Sequence, residues 1–469
     1  MCNERCRNRR ITRRRLVETA GTSLAGITLA GGALTASRRA VTARQDAPVE
    51  VTWGVQEDVD MEFRQEAIVD VFNQEHPEIE LVMEPIPGED MDRVIATALQ
   101  AGAGPDIVPS GGPTRAANLA QAGLLMDLSD ASKRFGWDKS LLPWALASGV
   151  FQGKLYQIPH EFESTIAYYG QKQFDENGWS LPTNREEFET LAEEAMGKGI
   201  IPIAEGMGDC PECTAWLVTI FLNNYPGPDT LYQALTGEVS FSDPVFVEAI
   251  DLLNTYMQAG WIGGSVEQYF ATSFDAMHAQ MAAGEALMSW SGTWFMGELN
   301  AFFGEAAGND NTWGWTQPPS FRDGVPFPLF PIGIGSTLSV SAAAEHPDQS
   351  LEFLNWYYSD PARIARRVAD GGSRFALPIP YKLSDFPENT DPRVAELLST
   401  LTEATSTDAF GYTVWTFWPS KTHNYLYEEV QKVFTNDLSA ADYCAGMADL
   451  FTQELEEGLV PPVIPRDAA

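Results

Sequence analysis

The sequence predicts an α/β protein of two domains, with mostly parallel sheets that carry helices on both faces, and three observations lead there. Segments of strand period and helix period alternate from residue 49 onward. At 469 residues the chain exceeds the size at which a single hydrophobic core keeps growing. Hydrophobic residues make up 44% of it, thirteen tryptophans included, which is enough to fill two cores. No internal repeat or low-complexity linker interrupts the pattern.

The alternation opens with Val49-Glu50-Val51-Thr52-Trp53-Gly54-Val55, apolar on every second residue and therefore a strand. Phe63, Ala67, Val71 and Phe72 then recur at helical spacing, and His76-Pro77 ends that helix. Ile79 to Met83 reads as a second strand. Asp90 caps a helix with Met91, Val94, Ile95, Ala98 and Leu99 on one side, stopped by Gly102, and Asp106-Ile107-Val108-Pro109 is a short buried strand. This is βαβαβ, the signature of a mostly parallel sheet.

Further on, Thr183-Asn184-Arg185-Glu186 reads as a capping box ahead of a helix with Phe188, Leu191, Ala192, Ala195 and Met196 inward. A strand follows from Ile200 to Ala204. Asp243-Pro244 starts another helix, with Ala249, Ile250, Leu253, Tyr256 and Met257 on its buried side. A third, around Phe274, Met277 and Met281, precedes the strand Ala286 to Trp290.

Charge separates the first residues from the rest. The chain carries a formal −35, yet residues 1 to 18 hold seven arginines, and Thr19 to Ala36 has no charge. A basic segment, a mildly apolar one and a small-residue zone make an export signal, expected over 1–43 with cleavage after Ala43. Within it, Thr12-Arg13-Arg14-Arg15-Leu16-Val17 is similar to the twin-arginine signal. Without that segment's nine arginines and two glutamates, 21 basic and 63 acidic residues remain, near −42. Such a surface repels phosphate backbones and anionic lipid, so no nucleic-acid or membrane-surface partner is expected. No later stretch reaches the length of a membrane span. Cys210-Pro211-Glu212-Cys213 reads as a redox pair, half of a zinc site or a small loop disulfide. No second Cys pair or His cluster lies near it, which argues against zinc, and in an exported protein a disulfide or two free thiols stay open.

Five fragments in order resemble the carbohydrate-type extracellular solute-binding proteins, the receptors of ATP-driven importers, over essentially the whole chain after the signal. Phe72-Asn73-Gln74-Glu75-His76-Pro77-Glu78-Ile79 is similar to that family's approach to strand two. Ala101 to Val108, Ala-Gly-Ala-Gly-Pro-Asp-Ile-Val, resembles its A-G-x-x-P-D-V-V segment. Lys154-Leu155-Tyr156-Gln157-Ile158-Pro159, followed by Ala167-Tyr168-Tyr169, resembles its first crossover, with Gly170 where an asparagine is usual. Gly284-Glu285-Ala286-Leu287-Met288 and then Gly292-Thr293-Trp294 resemble its G-x-A-A-M and G-x-W motifs.

The resemblance implies a two-lobed periplasmic-binding-protein fold of the type II kind, with lobes of 46–160 plus 331–378 and 161–330 plus 379–469. Chain crossings fall near Pro159 to Glu163, Phe330 to Gly335 and Leu377 to Tyr381. It further implies a sugar or oligosaccharide in the cleft, hinge closure, delivery to the transmembrane permease of an ABC importer, and an extracytoplasmic, monomeric protein without cofactor.

A sugar offers C–H faces for aromatic rings and hydroxyls for donors and acceptors, so its site combines tryptophans with carboxylates and arginine. Gln56 and Glu57 follow the first strand at its carboxyl end, where open α/β sheets bind ligands, and Ser110 and Gly112 follow the third in the same way. Glu161 and Glu163 share a face of an extended segment, and Glu163 stands six residues before Tyr169, where the resemblance puts a sugar-binding acid. Trp216 and Trp294 match its stacking aromatics, and Trp415 and Trp418 lie in its last ligand-facing loop. Arg374, in Gly371-Gly372-Ser373-Arg374, offers a fork of donors.

An enzyme is not expected. Glu161 and Glu163, neighbours on one face, do not straddle a glycosidic bond, and no zinc, nucleophile-elbow or phosphate-loop motif is present. The alternative to a sugar is a non-sugar solute: a phosphodiester, a polyamine or a carboxylated compound.

Overall fold

The structure, a computed structural model, describes residues 47–87 and 91–466. The expected export signal and the capping residue Asp90 lie outside them. In chain order the strands are β1 (Val49–Glu57), β2 (Ile79–Pro87), β3 (Ile107–Ser110), β4 (Val150–Phe151), β5 (Lys154–Leu155), β6 (Ile158–Pro159) and β7 (Phe162–Gly170). They continue with β8 (Ile201–Ile203), β9 (Ala286–Gly292), β10 (Trp313–Thr316), β11 (Phe330–Ile334), β12 (Thr337–Val340) and β13 (Phe410–Tyr412).

Two sheets organise the chain into two lobes. The first runs β2-β1-β3-β12-β6 and the second β13-β11-β7-β9-β8, with β10 added to β7. β1 lies parallel to β2 and β3, β13 to β11, and β8 to β9. The remaining partners are antiparallel, β12 to β3 and β6, and β7 to β9, β10 and β11. The sheets are therefore mixed, where mostly parallel ones were expected. The reason lies in the connections. A parallel pair needs a crossover connection, whereas a strand that enters a sheet without one is free to run antiparallel. β7 and β12 instead step directly from one sheet into the other, through residues 160–161 and 335–336.

Alternation places Val51, Trp53 and Val55 of β1 in the core, where Trp53 meets Phe353 at 5.3 Å between ring centroids. β7 is buried along its length except Tyr169, as befits a central strand covered on both faces. The helix expected after β1 forms as Met61–Arg64 and Asp70–Glu75 around a π-helical turn, Gln65–Val69. That wider turn rotates the buried side to Arg64, Ile68, Val69 and Phe72, leaving Phe63, Ala67 and Val71 half-buried. The capping box is offset by one residue: Asn184 caps Arg185–Gly197 by accepting from the Glu187 N–H, and Glu187 reaches back to the N–H of Thr183. Met196, expected inward, is 39% exposed. Among the described residues no helix is long and apolar enough to cross a membrane.

Candidate functional site

The two direct steps between sheets run side by side, and the site is built on them. The Gly335 N–H donates to the Glu161 carbonyl at 3.1 Å, and Glu163 faces Gly333 in the β7–β11 register. A Cβ at Gly335 would collide with the Glu163 carboxyl group, so glycine there is what lets that carboxyl lie against the backbone. Glu161 and Glu163 hydrogen-bond to each other. Burial, and for Glu163 also the neighbouring Glu161 charge, push both carboxyls above the usual range. His160 pins the crossing, with Nδ1 2.8 Å from Ser336 Oγ and Nε2 2.8 Å from the Tyr357 hydroxyl. Burial, helped by Arg64 and Arg367, lowers its pKa to about 3.

Three tryptophans from separate elements converge beside these acids. Trp216 belongs to the helix Thr214–Asn224, Trp294 to the turn that ends β9, and Trp415 to the turn Val414–Phe417. Trp216 and Trp294 are 4.7 Å apart at 54°, Trp294 and Trp415 5.8 Å apart at 74°. Phe274 stacks on Trp216 at 5.6 Å. Trp415 is 8% exposed, and its indole N–H faces Glu163, favouring the anionic form, but closes no hydrogen bond among the described residues. The structure does not bring Trp418 to this group. Its ring is fully buried against Phe241 at 5.7 Å, because the helical turn ends at Phe417 and Trp418 is already extended.

An ionic network borders the rings. Arg64 holds Asp58 through two hydrogen bonds of 2.5 and 3.0 Å. Arg374 reaches Asp58 and Asp60 at 3.5 Å each and Glu298 at 3.3 Å. Burial opposes ionisation of Asp58, but the two guanidinium groups prevail and hold its carboxyl below the usual range. Burial wins at Asp60 and Glu298, which are raised despite Arg374. Next to Arg374, the Ser373 hydroxyl donates to the Thr293 carbonyl at 2.6 Å, tying the segment to the Trp294 turn.

The other expected residues sit at the margin. Gln56 and Glu57 are exposed at the end of β1, opposite Ile86 and Pro87. Ser110 is buried and bonded to Thr337 Oγ1 and the Gly112 carbonyl, an internal role. Gly112, at φ +115°, lies against the Trp415 carbonyl, where a side chain would be strained and crowded. Asp58, Asp60, Arg64 and Glu298 escaped the sequence reading. The first three do carry a signal, since they follow the carboxyl end of β1 and open the next helix, while Glu298 lies in an irregular turn that offers none.

Cys210 and Cys213 are joined by a disulfide, and Cys444 is a buried free thiol. Glu212, between the paired cysteines, forms an ion pair with Arg115, which also meets Asp92 at 2.9 Å. Arg115 and Asp92 flank β3 of the first sheet, whereas Glu212 leads into a helix on the second, so this pair clasps one lobe to the other. Arg115→Ala is expected to weaken ligand binding by about 0.5–1 kcal/mol, the scale of a partly exposed ion pair. Calorimetric titration checks it, and unchanged affinity removes the clasp from closure. Among the described residues the one group with metal-ligand spacing, His76, Glu78 and Glu352, is a surface ion-pair cluster.

The chain is similar to several known proteins. A "Probable sugar-binding periplasmic protein" of Mesorhizobium japonicum is 27% identical over 191 residues, 39% of this chain and 43% of that one. The "Alpha-glucosides-binding periplasmic protein AglE" of Rhizobium meliloti is 26% identical over 175 residues, 35% and 38% of the two chains. The matches thus span less than half the length of either curated relative. Among solved structures, a "Chitin oligosaccharide binding protein" superposes with a TM-score of 0.71 at 19% identity, covering 87% of this chain and 98% of that one. The model of the bacterial extracellular solute-binding proteins matches residues 56–364, and the chain belongs to that family.

Proposed function

We propose that this protein is an extracytoplasmic receptor that holds a sugar or short oligosaccharide between its lobes and delivers it to the permease of an ABC importer. One observation carries the reading: Trp216, Trp294 and Trp415 converge beside Glu161, Glu163 and Arg374. Aromatic faces take the C–H side of a sugar, and the carboxyl and guanidinium groups take its hydroxyls. The family, and the sugar ligands that the relatives' names print, support the same class. The lobes are those expected, 46–160 plus 331–378 and 161–330 plus 379–469, with the boundary at 330 moved to 335 because β11 runs in the second sheet, and the protein acts as a monomer. The arginine-rich first 43 residues serve as a twin-arginine export signal.

The function is binding without turnover. Two carboxyls that hydrogen-bond to each other on one segment leave no room for a glycosidic bond between them. A thermal-shift screen of residues 44–469 against sugars, polyamines and phosphodiesters tests the reading, since a ligand of the native state raises the melting temperature by mass action. A rise with one sugar series, and intact sugar after prolonged incubation, is expected. A response confined to a polyamine or phosphodiester overturns it.

A further inference from the structure

The Cys210–Cys213 disulfide lies where two parts of the site meet. It closes the single 3-10 turn Pro211–Cys213, and Cys213 is the N-cap residue of the helix Thr214–Asn224 that carries Trp216. Inside the bridge, Glu212 reaches across to Arg115 of the first lobe. Just before it, the Asp209 carboxylate accepts at 2.8 Å from the backbone N–H of Phe274, whose ring stacks on Trp216. A three-residue 3-10 turn has poor hydrogen-bond geometry and little stability of its own. The Cys213 N–H donates to the Cys210 carbonyl at 3.1 Å, and the Thr214 hydroxyl to the Pro211 carbonyl at 3.0 Å. The disulfide is the covalent restraint that keeps Glu212 directed at the other lobe.

The two sulfurs differ in access. Cys210 is half-buried beside the exposed Pro211, whereas Cys213 is 7% exposed. A bridge with one reachable sulfur is open to thiol–disulfide exchange there, and the helix N-terminus at Cys213 stabilises the thiolate that leaves. A bridge across so short a loop also restrains the unfolded chain less than one that closes a long loop, so its loss is expected to leave the fold in place.

Resting on the sugar-receptor reading, we infer that this disulfide is a redox-dependent positioning element of the site: oxidised, it holds Glu212 on Arg115 and favours the closed form; reduced, it releases the clasp and weakens sugar binding. The exchange is with a dithiol reductant. One of its thiolates attacks Cys210 Sγ, the bond to Cys213 breaks, and Cys213 leaves as a thiolate that takes up a proton. The reductant's second thiolate then displaces Cys210, so the protein gains two thiols and the reductant becomes a disulfide. On the twin-arginine reading the chain folds in a reducing compartment and is oxidised after export, so its affinity rises where sugar is captured.

The test is calorimetric titration of residues 44–469, oxidised and then reduced with dithiothreitol, against maltotriose, cellobiose, xylobiose and N,N′-diacetylchitobiose. Thiol counting verifies each state, and near-ultraviolet circular dichroism shows whether the reduced protein stays packed. At least one of these sugars is expected to bind the reduced protein about two- to fivefold more weakly, the scale of losing the clasp. Replacing both cysteines, Cys210→Ser with Cys213→Ser, should reproduce that loss. The ratio should fall toward parity in Arg115→Ala, where the clasp is absent in both redox states. By linkage, the same sugar should make the bridge harder to reduce by the same factor in a dithiothreitol equilibrium titration. Equal affinity in both redox states, or an undiminished ratio in Arg115→Ala, overturns the inference and leaves the sugar receptor standing. Loss of the packed signal on reduction also overturns it, since the bridge would then hold the fold and not the clasp. Binding of spermidine with no response to any sugar in either state overturns the receptor reading as well.

Discussion

Trp294→Ala is expected to weaken sugar binding by about 1–3 kcal/mol, the usual loss when a central aromatic anchor is truncated. Trp294 is the middle ring of the three and touches both of the others. Its removal therefore takes away its own face and also the wall that orients Trp216 and Trp415. The ring lies folded back over Gly292, where a Cβ would fall inside it. Gly292→Ala should accordingly displace the ring without deleting it and lose affinity on the same scale. Titration of both variants, with near-ultraviolet circular dichroism to show a packed fold, decides the point. Retained affinity in a folded Trp294→Ala protein would take this ring out of the site.

Much of the fold was legible because it rests on local periodicity. β1 alternates, Arg185–Gly197 and Pro244–Gln258 carry apolar stripes, and each forms close to its expected place. Phase was harder to read than existence. One π-helical turn at Gln65–Val69 rotated a whole buried side, and a one-residue offset moved a capping box. Sheet direction depended on β7 and β12 stepping straight between sheets, a tertiary fact with no local signature.

The site shows the same division. Trp216, Trp294, Trp415, Glu163 and Arg374 could be singled out from segments with recognisable motifs, and the structure draws them together. The ionic network could not, because Arg374 joins partners 316 and 76 residues away in sequence. Nor could the parting of Trp415 from Trp418, which turns on where a single short helical turn stops.

Acid sensitivity provides the other large effect, through His278. This side chain, on the helix Phe274–Ala283, is fully buried, meets Phe295 at 4.8 Å and Phe302 at 5.3 Å, and has no hydrogen-bond partner on either ring nitrogen among the described residues. Burial lowers its pKa to about 4, against about 6.5 in an unfolded chain. Between those values the unfolded state binds a proton that the folded state refuses, so stability falls as pH drops through that window, by about 2 kcal/mol at pH 5. His160 and His423, both held at about 3, act in the same direction. The raised carboxyls Glu161, Glu163 and Glu205 act oppositely, since their folded forms keep a proton that the unfolded chain releases. The bare pH profile therefore mixes signs, and a difference between two proteins isolates one residue. His278→Leu cannot be protonated there. Its melting temperature relative to wild type should rise by roughly 2–4 °C between pH 7.5 and pH 5, the shift that such an energy produces in a chain of this length. A constant offset at both pH values would mean that His278 takes up its proton in the folded state as readily as in the unfolded one, through a water or a movement of the Phe295 ring that lets solvent in.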